Sequence, residues 1–221
     1  QRPPLSKKYL AGELEADRLP IRHAQYYETI HCEVLLGNPA TAIDTAAHEL
    51  TLADGTKLNY GKLVLATGGY ARPLPVPGAD LDGVHVLRTM ADVNAIRARI
   101  VPGLRAAIVG AGYIGLECAA TLRKLGVEVT VIEMMERVMS RVVAPEMSRF
   151  YLKEHVAHGV AVLLGRRVGA FIGSNKLEAV ECTDGTRVPA ELAIVGIGLV
   201  PDTALAAAAG LACDDGITVD E

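Results

Sequence analysis

The sequence contains no tryptophan, and aromatic residues make up only 4% of its 221 residues. Few aromatic rings leave little surface on which unpaired bases stack, so single-stranded nucleic acid is not an expected ligand. The formal net charge is −4, so the positive excess that nucleic acids and anionic membranes attract is also missing. No apolar run approaches the roughly 18 residues that a membrane-spanning helix requires. We therefore expect neither a nucleic-acid partner nor a membrane partner.

Cysteine is sparse and dispersed. Cys32, Cys118, Cys182 and Cys213 form no Cys-x-x-Cys motif and no paired spacing. Isolated cysteines supply neither a zinc-type ligand set nor a local redox disulfide, so no metal site is expected. Reduced thiols are typical of the cytoplasm, which is the predicted location. The 6 histidines are scattered as well, and we interpret them as structural or solvated.

The order of apolar segments predicts an α/β protein. Strands are expected at residues 63–66, 105–109, 128–132, 160–164, 166–172, 176–182 and 191–197, and helices at 21–29, 89–99, 113–125 and 145–158. Asp-Gly pairs at 54–55 and 184–185 predict hairpin turns, and the strands from 160 to 182 predict a small antiparallel meander. Ser6 is expected to cap a short helix at the start of the chain. A proline-rich connector at 73–78 predicts a domain boundary near residue 82.

One glycine motif carries a chemical prediction. Gly110-Ala111-Gly112-Tyr113-Ile114-Gly115 fits G-x-G-x-x-G between a predicted strand and a predicted helix. Gly110 permits a tight turn, Gly112 leaves room for a pyrophosphate, and Gly115 allows close packing of helix on strand. The helix start offers unpaired N–H groups to phosphates. The motif predicts a Rossmann dinucleotide site with a parallel sheet; the alternative is a glycine turn in an ordinary βαβ unit.

Glu133 ends the second strand of this unit, 23 residues after Gly110. An acid at this position accepts hydrogen bonds from the adenosine ribose hydroxyls. A 2′-phosphate would meet a like charge there, and Met134 and Met135 supply no cation to offset it. NADH is therefore expected to bind better than NADPH, although Arg137 and Arg141 lie nearby. The alternative is that Glu133 is a solvated surface acid.

Several motifs together resemble the NADH:ferredoxin reductases of bacterial oxygenases, the group of putidaredoxin reductase and rubredoxin reductase. They are RPPLSK at 2–7, LATGG at 65–69 with Arg72, LRT at 87–89, GAGYIGLE at 110–117, and Gly-Ile-Gly at 196–198 followed by Pro201. The resemblance implies three parts: the middle of an FAD-binding domain (1–82), an NAD-binding Rossmann domain (83–205) and a return segment (206–221). It also implies an excerpt of a protein about twice as long, which on its own is expected to hold FAD poorly.

The resemblance assigns roles to individual residues. The residues implied for FAD are Arg2, Lys7, Thr67, Gly68 and Arg72, with the backbone near Ala40 at the adenine. Those implied for NAD beyond the glycine motif are Glu133 and Arg141 at the adenosine and Ile114, Glu117, Gly196, Ile197 and Gly198 at the nicotinamide. The resemblance further implies that hydride passes from NADH to FAD and that single electrons then pass to a ferredoxin or rubredoxin.

The resemblance implies that Lys7 and Glu117 are the catalytic residues, because related flavin reductases pair a lysine and a glutamate where the FAD and NAD domains meet. An isolated charge in a dry cleft is costly, so each is a natural partner for the other. We expect Lys7 Nζ within about 4 Å of a Glu117 carboxylate oxygen, the usual limit for an ion pair. The alternatives are a solvated Lys7, a surface Glu117, and a plain strand exit at Ala66-Thr67-Gly68.

Two residues depart from the pattern of these reductases, and two other functions stay open. Asp202 stands where Asn is usual, and Gly61 stands where Asp is usual. A related NADH oxidase or disulfide reductase would need a reactive cysteine in the segment matching residues 1–8, which has none. An NAD-sensing module of the apoptosis-inducing-factor type shares these motifs. No oligomeric state is predicted.

Overall fold

The computed structural model describes residues 1–220. Within them the helices are α1 (Ala24–Thr29), α2 (Met90–Arg97), α3 (Tyr113–Lys124), α4 (Pro145–Ala157) and α5 (Ala204–Ala208). The strands are β1 (Ala40–Asp44), β2 (Glu49–Leu52), β3 (Lys57–Asn59), β4 (Gly69–Ala71), β5 (Val84–Val86), β6 (Arg105–Val109), β7 (Glu128–Ile132), β8 (Ala161–Leu163), β9 (Val168–Ile172), β10 (Ala179–Cys182), β11 (Arg187–Pro189), β12 (Leu192–Val195) and β13 (Leu199–Pro201). Short helical turns form at Leu5–Tyr9 and Ala16–Arg18.

The chain forms two compact units, each built from two stretches of sequence. Unit 1 comprises Gln1–Pro20 and Ala71–Gly198, and unit 2 comprises Ile21–Tyr70 and the chain from Leu199 onward. The compact units thus do not divide at residue 82. The first stretch belongs to unit 1 because Leu5, Tyr9 and Leu10 are buried in its core. The functional division into 1–82, 83–205 and 206–221 stays a prediction.

A five-stranded parallel sheet forms the centre of unit 1, in the order β5-β12-β6-β7-β8. Its side chains alternate between two apolar layers, because successive residues of a strand point to opposite faces. Ile108 and Ile194 pack with Leu122 of α3 on one face. Val109 and Val195 pack on the other face, against the antiparallel meander β9-β10-β11. The predicted α/β fold with a parallel sheet and a meander is confirmed.

Local sequence signals explain where the helices begin. Thr89 and Asp92 form a reciprocal capping box at the start of α2, which satisfies two N–H groups that would otherwise lack partners. Pro145 occupies the first turn of α4, where its missing N–H costs nothing. The four predicted helices at 21–29, 89–99, 113–125 and 145–158 are confirmed, each within a few residues of its expected bounds.

Both Asp-Gly pairs make the expected hairpin turns. In unit 2, Asp54 Oδ1 accepts a hydrogen bond from Thr56 N at 2.8 Å, between β2 and β3 of the β1-β2-β3 sheet. In unit 1, Asp184 Oδ1 accepts from Thr186 N at 3.0 Å, between β10 and β11. An aspartate carboxylate that binds the backbone two residues ahead fixes such a turn.

Three local predictions are wrong. Residues 63–66 form no strand, and Val64 is 86% exposed, because no residue within 1–220 pairs with this segment. Ser6 does not cap a helix; it lies inside the turn Leu5–Tyr9, and its hydroxyl bonds elsewhere. β8 does not join the meander, since it pairs in parallel with β7 at the edge of the main sheet.

His85, on the edge strand β5, generates a stability prediction. Its Nε2 atom is buried without a hydrogen-bond partner among residues 1–220. Burial lowers the pKa of His85 below its ordinary value of 6.5, and repulsion from Arg99 adds to the effect. The unfolded chain therefore binds this proton more readily than the folded chain, so stability is lost as the pH falls through 6.5. Burial and repulsion from His158 lower the pKa of His155 in the same direction.

We expect the free energy of unfolding of the wild type to fall as the pH is lowered from about 7 to about 5. In the His85→Phe variant it should fall less steeply, because one of the two histidines with a lowered pKa is gone. Urea unfolding at several pH values measures the slope. His23→Phe, at an exposed histidine, is the control and should keep the wild-type slope. An unchanged slope in His85→Phe would contradict the assignment.

Candidate functional site

The glycine motif lies where β6 ends and α3 begins. The backbone at Gly110 has φ of +103°, and a Cβ there would lie 2.5 Å from the carbonyl oxygen of Gly196. A Cβ at Gly115 would overlap the carbonyl oxygen of Gly110. Both positions therefore require glycine, one for its conformation and its neighbour, the other for close helix-to-strand packing.

Gly112 differs from these two glycines because the space beside it is open. A Cβ at Gly112 would meet no atom within 4 Å, and no side chain within residues 1–220 caps the start of α3. An open helix N-terminus directs its N–H groups and its positive dipole end toward this space. The cradle fits a pyrophosphate, as the motif predicts.

Glu133 is fixed against the glycine motif. One carboxylate oxygen accepts a hydrogen bond from Ala111 N at 2.6 Å, and the other accepts one from Met135 N at 2.8 Å. Two backbone donors hold the carboxylate in one orientation, so it is not a freely solvated surface acid. Each carboxylate oxygen has a second lone pair, which leaves it able to accept from ribose hydroxyls.

The two nearby arginines have different surroundings. The guanidinium of Arg137 donates to the carbonyl oxygens of Val143 and Ser140 and to Ser148 Oγ, at 2.7 to 2.8 Å. These bonds hold the loop after β7 together and occupy Arg137. Arg141 is exposed, and its side chain has no hydrogen bond or ion pair with the rest of the described chain. Of the two, Arg141 has all five of its N–H donors available to a nucleotide, whereas three bonds to the chain already fix the orientation of Arg137.

Lys7 and Glu117 form the predicted ion pair. Lys7 Nζ lies 2.8 Å from Glu117 Oε2, although Lys7 belongs to the first stretch of unit 1 and Glu117 to the second. The Ser6 hydroxyl donates to the same Glu117 oxygen. The side chains of Lys7 and Glu117 are 45% and 33% exposed, so the pair does not lie in a dry cleft within this chain. An ion pair this accessible contributes only about 0–1 kcal/mol to stability.

The turn at residues 196–198 lies beside the glycine motif. Gly196 N donates to Val109 O at 2.8 Å, and Gly198 O accepts from Arg72 N at 2.9 Å. Ile114, in the first turn of α3, is 41% exposed. Unit 1 thus gathers the glycine motif, Glu133, the 196–198 turn and Arg72. Arg2 is also in unit 1, but its side chain is exposed and bonds to nothing within residues 1–220.

Unit 2 contains the other residues implied for FAD. Thr67 Oγ1 donates to the carbonyl oxygen of Asp202 at 2.5 Å, and Asp202 N donates to Gly68 O at 3.0 Å. Both contacts use the main chain of Asp202, so the aspartate in place of asparagine leaves them intact. A Cβ at Gly61 would meet nothing within 4 Å, so this departure disturbs no packing either. Ala40 begins β1, opposite Leu52 of β2.

The family model for pyridine nucleotide-disulphide oxidoreductases matches residues 1–221. The chain belongs to this family. It is 46% identical, over 100% of its own length and 54% of the relative's, to the ferredoxin reductase subunit of 5,5'-dehydrodivanillate O-demethylase from a Sphingobium species. It is 44% identical to putidaredoxin reductase from Pseudomonas putida, over 99% of this chain and 53% of that protein. The chain spans about half the length of the curated relatives it matches.

Solved structures of ferredoxin reductases have the same fold as this chain. A ferredoxin reductase from Rhodopseudomonas palustris superimposes with a TM-score of 0.95 at 39% identity, over 99% of this chain and 54% of that one. The covalent complex of putidaredoxin reductase with putidaredoxin gives 0.93 at 43% identity, over 98% and 53%. The resemblance to the putidaredoxin reductase group is confirmed.

The cysteines of this pyridine nucleotide-disulphide oxidoreductase are all free. Cys118 is buried next to Glu117, and burial together with that carboxylate raises its pKa to about 12, which makes the thiol inert. Residues 1–220 contain no group of three His, Cys, Asp or Glu side chains placed to hold a metal ion. No helix in that range is both long and apolar enough to cross a membrane.

Sequence reasoning missed two residues around the ion pair. Ser6 binds Glu117 through its hydroxyl, and its carbonyl oxygen accepts from Thr121 Oγ1 at 2.9 Å. One signal was available: Thr121 follows Glu117 by four residues, which places both on one face of α3. The local sequence predicted Ser6 only as a helix cap, because its partners on α3 lie more than 100 residues away.

The glycines of this family member make a matched pair for mutation. We expect Gly115→Ala to lower the free energy of unfolding by about 2 kcal/mol or more, because the new methyl group overlaps backbone that cannot move aside cheaply. Gly112→Ala should change it by only about 0.5 kcal/mol, because its methyl group enters open space. Urea unfolding followed by circular dichroism measures both. Equal losses in the two variants would contradict the packing argument.

Proposed function

We propose that this protein is the reductase component of an oxygenase system, passing electrons from NADH through FAD to a ferredoxin or rubredoxin. One observation carries the proposal: the single helix α3 bears both the open phosphate cradle at its start and, in its second turn, the Glu117 that pairs with Lys7. Of the two relatives reported above, one is named a ferredoxin reductase subunit and the other putidaredoxin reductase, which supports the acceptor class. The four free cysteines support a cytoplasmic location.

The two cofactors have distinct residues in this proposal. Gly110, Gly112 and Gly115 form the cradle for the NAD pyrophosphate, and Glu133 and Arg141 hold the adenosine. Ile114, Glu117 and the Gly196-Ile197-Gly198 turn surround the nicotinamide. The residues assigned to FAD are Arg2, Lys7 and Arg72 of unit 1 and Ala40, Thr67 and Gly68 of unit 2. When bound, the nicotinamide supplies a hydride, and the flavin accepts it and releases single electrons.

The protein's contribution is placement of charge. Hydride transfer needs no protein acid or base, but electron density that builds on a reduced ring is stabilised by a fixed positive charge. Lys7 supplies that charge, and Glu117 fixes where the ammonium lies, since the two atoms are 2.8 Å apart. An accessible pair adds little to folding, so a role in placing charge accounts for it better than stability does.

A thiol-dependent oxidase or disulfide reductase fits the chain less well. Residues 1–8 contain no cysteine, and the buried Cys118 has a raised pKa that keeps it protonated. No contact in the described chain favours an NAD-sensing module over a reductase.

Nucleotide choice tests the role of Glu133. We expect NADH to bind more tightly than NADPH by ~1–3 kcal/mol, the scale of one polar discrimination, because the carboxylate repels a 2′-phosphate. Glu133→Ala should remove most of that preference. Titration of both nucleotides measures the affinities, and Glu136→Ala, at an exposed acid three residues later, is the control. Equal affinities in the wild type would contradict the assignment.

Flavin reduction tests the proposed function and the ion pair together. In the flavin-loaded protein, NADH should bleach the flavin absorbance, and a ferredoxin should then be reduced. Glu117→Gln should slow the bleaching by about 10- to 100-fold, because Lys7 loses its charged partner, and the NADH dissociation constant should change little.

Stopped-flow absorbance with Glu128→Gln as the control measures this effect, since Glu128 is an exposed acid on β7. A wild type whose flavin NADH cannot reduce would overturn the function. A Glu117→Gln variant as fast as wild type would overturn the role of the pair.

A further inference from the structure

Ser6 is one of three buried polar side chains within residues 1–220, with only 3% of its surface exposed. Its hydroxyl donates to Glu117 Oε2, the oxygen that also lies 2.8 Å from Lys7 Nζ. Its carbonyl oxygen accepts from Thr121 Oγ1 at 2.9 Å. One residue is therefore bound twice to α3, once through its side chain and once through its backbone.

The two contacts on α3 lie on the same face, because Glu117 and Thr121 are four residues apart. On the other side of the contact, Leu5 and Tyr9 are buried in the core of unit 1 and anchor the turn that contains Ser6. Lys7 has non-helical dihedral angles within that turn, φ −121° and ψ −109°. Ser6 is thus buried and held by two hydrogen bonds, whereas Lys7 extends from the turn with a half-exposed side chain.

The attraction between Lys7 and Glu117 is too weak on its own to hold the two accessible side chains in one geometry. Water screens the attraction, and two long side chains lose rotamer freedom when they meet. A buried hydroxyl is different, because it is left unsatisfied unless it finds an acceptor. The Glu117 carboxylate is that acceptor, so the cost of an unbonded Ser6 hydroxyl keeps the carboxylate in the orientation that Lys7 also uses.

We infer that Ser6 is a positioning residue that fixes the Glu117 carboxylate and, through it, the Lys7 ammonium. The inference deepens the proposed function and rests on it. Removing the hydroxyl leaves both charged groups present but no longer held in one geometry. A misplaced charge slows hydride transfer, although the groups that react are still present. A Ser6 variant should therefore lose rate of flavin reduction while it keeps its affinity for NADH.

The first test is Ser6→Ala in the flavin-loaded protein. The rate of flavin reduction at saturating NADH should fall about 5- to 10-fold, and the NADH dissociation constant should stay within about 2-fold of wild type. Ser148→Ala is the matched control, because Ser148 is also a buried serine in unit 1 but bonds to Arg137 and to Val138 O. It should lower stability and leave the saturated rate unchanged.

The second test does not depend on the flavin. In a double-mutant cycle, Ser6→Ala should raise the unfolding equilibrium constant about 10-fold in the wild type and only about 2-fold in Glu117→Ala, where the acceptor is gone. Equal effects in the two backgrounds would overturn the inference. Thr121→Val retains the side-chain shape and removes the hydroxyl that holds Ser6 O. It should slow flavin reduction in the same way, which keeps the inference testable if Ser6→Ala does not fold.

The outcomes separate the two proposals. A wild type that NADH cannot reduce overturns the proposed function. A wild type that NADH reduces, together with a folded Ser6→Ala variant that is reduced equally fast, overturns the positioning role alone. A rate loss that is matched by an equal loss of NADH affinity, or that also occurs in Ser148→Ala, overturns it as well.

Discussion

Helix α3 approaches strand β6 so closely that a methyl group at residue 115 would overlap the carbonyl oxygen of Gly110. This single contact determines the position of the helix, and much of unit 1 depends on that position. It brings the open N-terminus of α3 to the ends of β6 and β7, where Glu133 binds Ala111 N. It also turns Glu117 and Thr121 toward the first stretch of the chain, where Ser6 and Lys7 meet them. The cradle and the ion pair therefore depend on one packing distance.

Local signals allowed much of the fold to be predicted. The capping box at Thr89, the proline at 145 and the Asp-Gly turns each act within a few residues, so sequence alone locates the helices and hairpins. The glycine motif is local too, which is why its geometry was predictable. The strand at 63–66 failed because an apolar run forms a strand only where a neighbour pairs with it, and pairing is not a local property.

The ion pair and its surroundings show the same limit on local reasoning. Residues 7 and 117 are 110 positions apart, so only the resemblance to related reductases brought Lys7 and Glu117 together before the fold was in view. Ser6 and Thr121 carried no such assignment. A buried serine hydroxyl looks like any other serine in the sequence, and its acceptor becomes visible only when the turn Leu5–Tyr9 is packed on α3.

The strands of the parallel sheet lie in a different order in space than along the chain, and this difference has a consequence for synthesis on the ribosome. β12 is the last strand of the parallel sheet to be made, yet it lies between β5 and β6. Until residue 195 emerges, the edge strand β5 has no neighbour, and β6 is paired on one side only. Pairings between such distant segments form slowly, and unpaired strand edges invite association with other chains. The nascent chain therefore has an open sheet edge from the time β6 and β7 are made until β12 follows, which is the interval in which chaperones that cover strand edges would act on it.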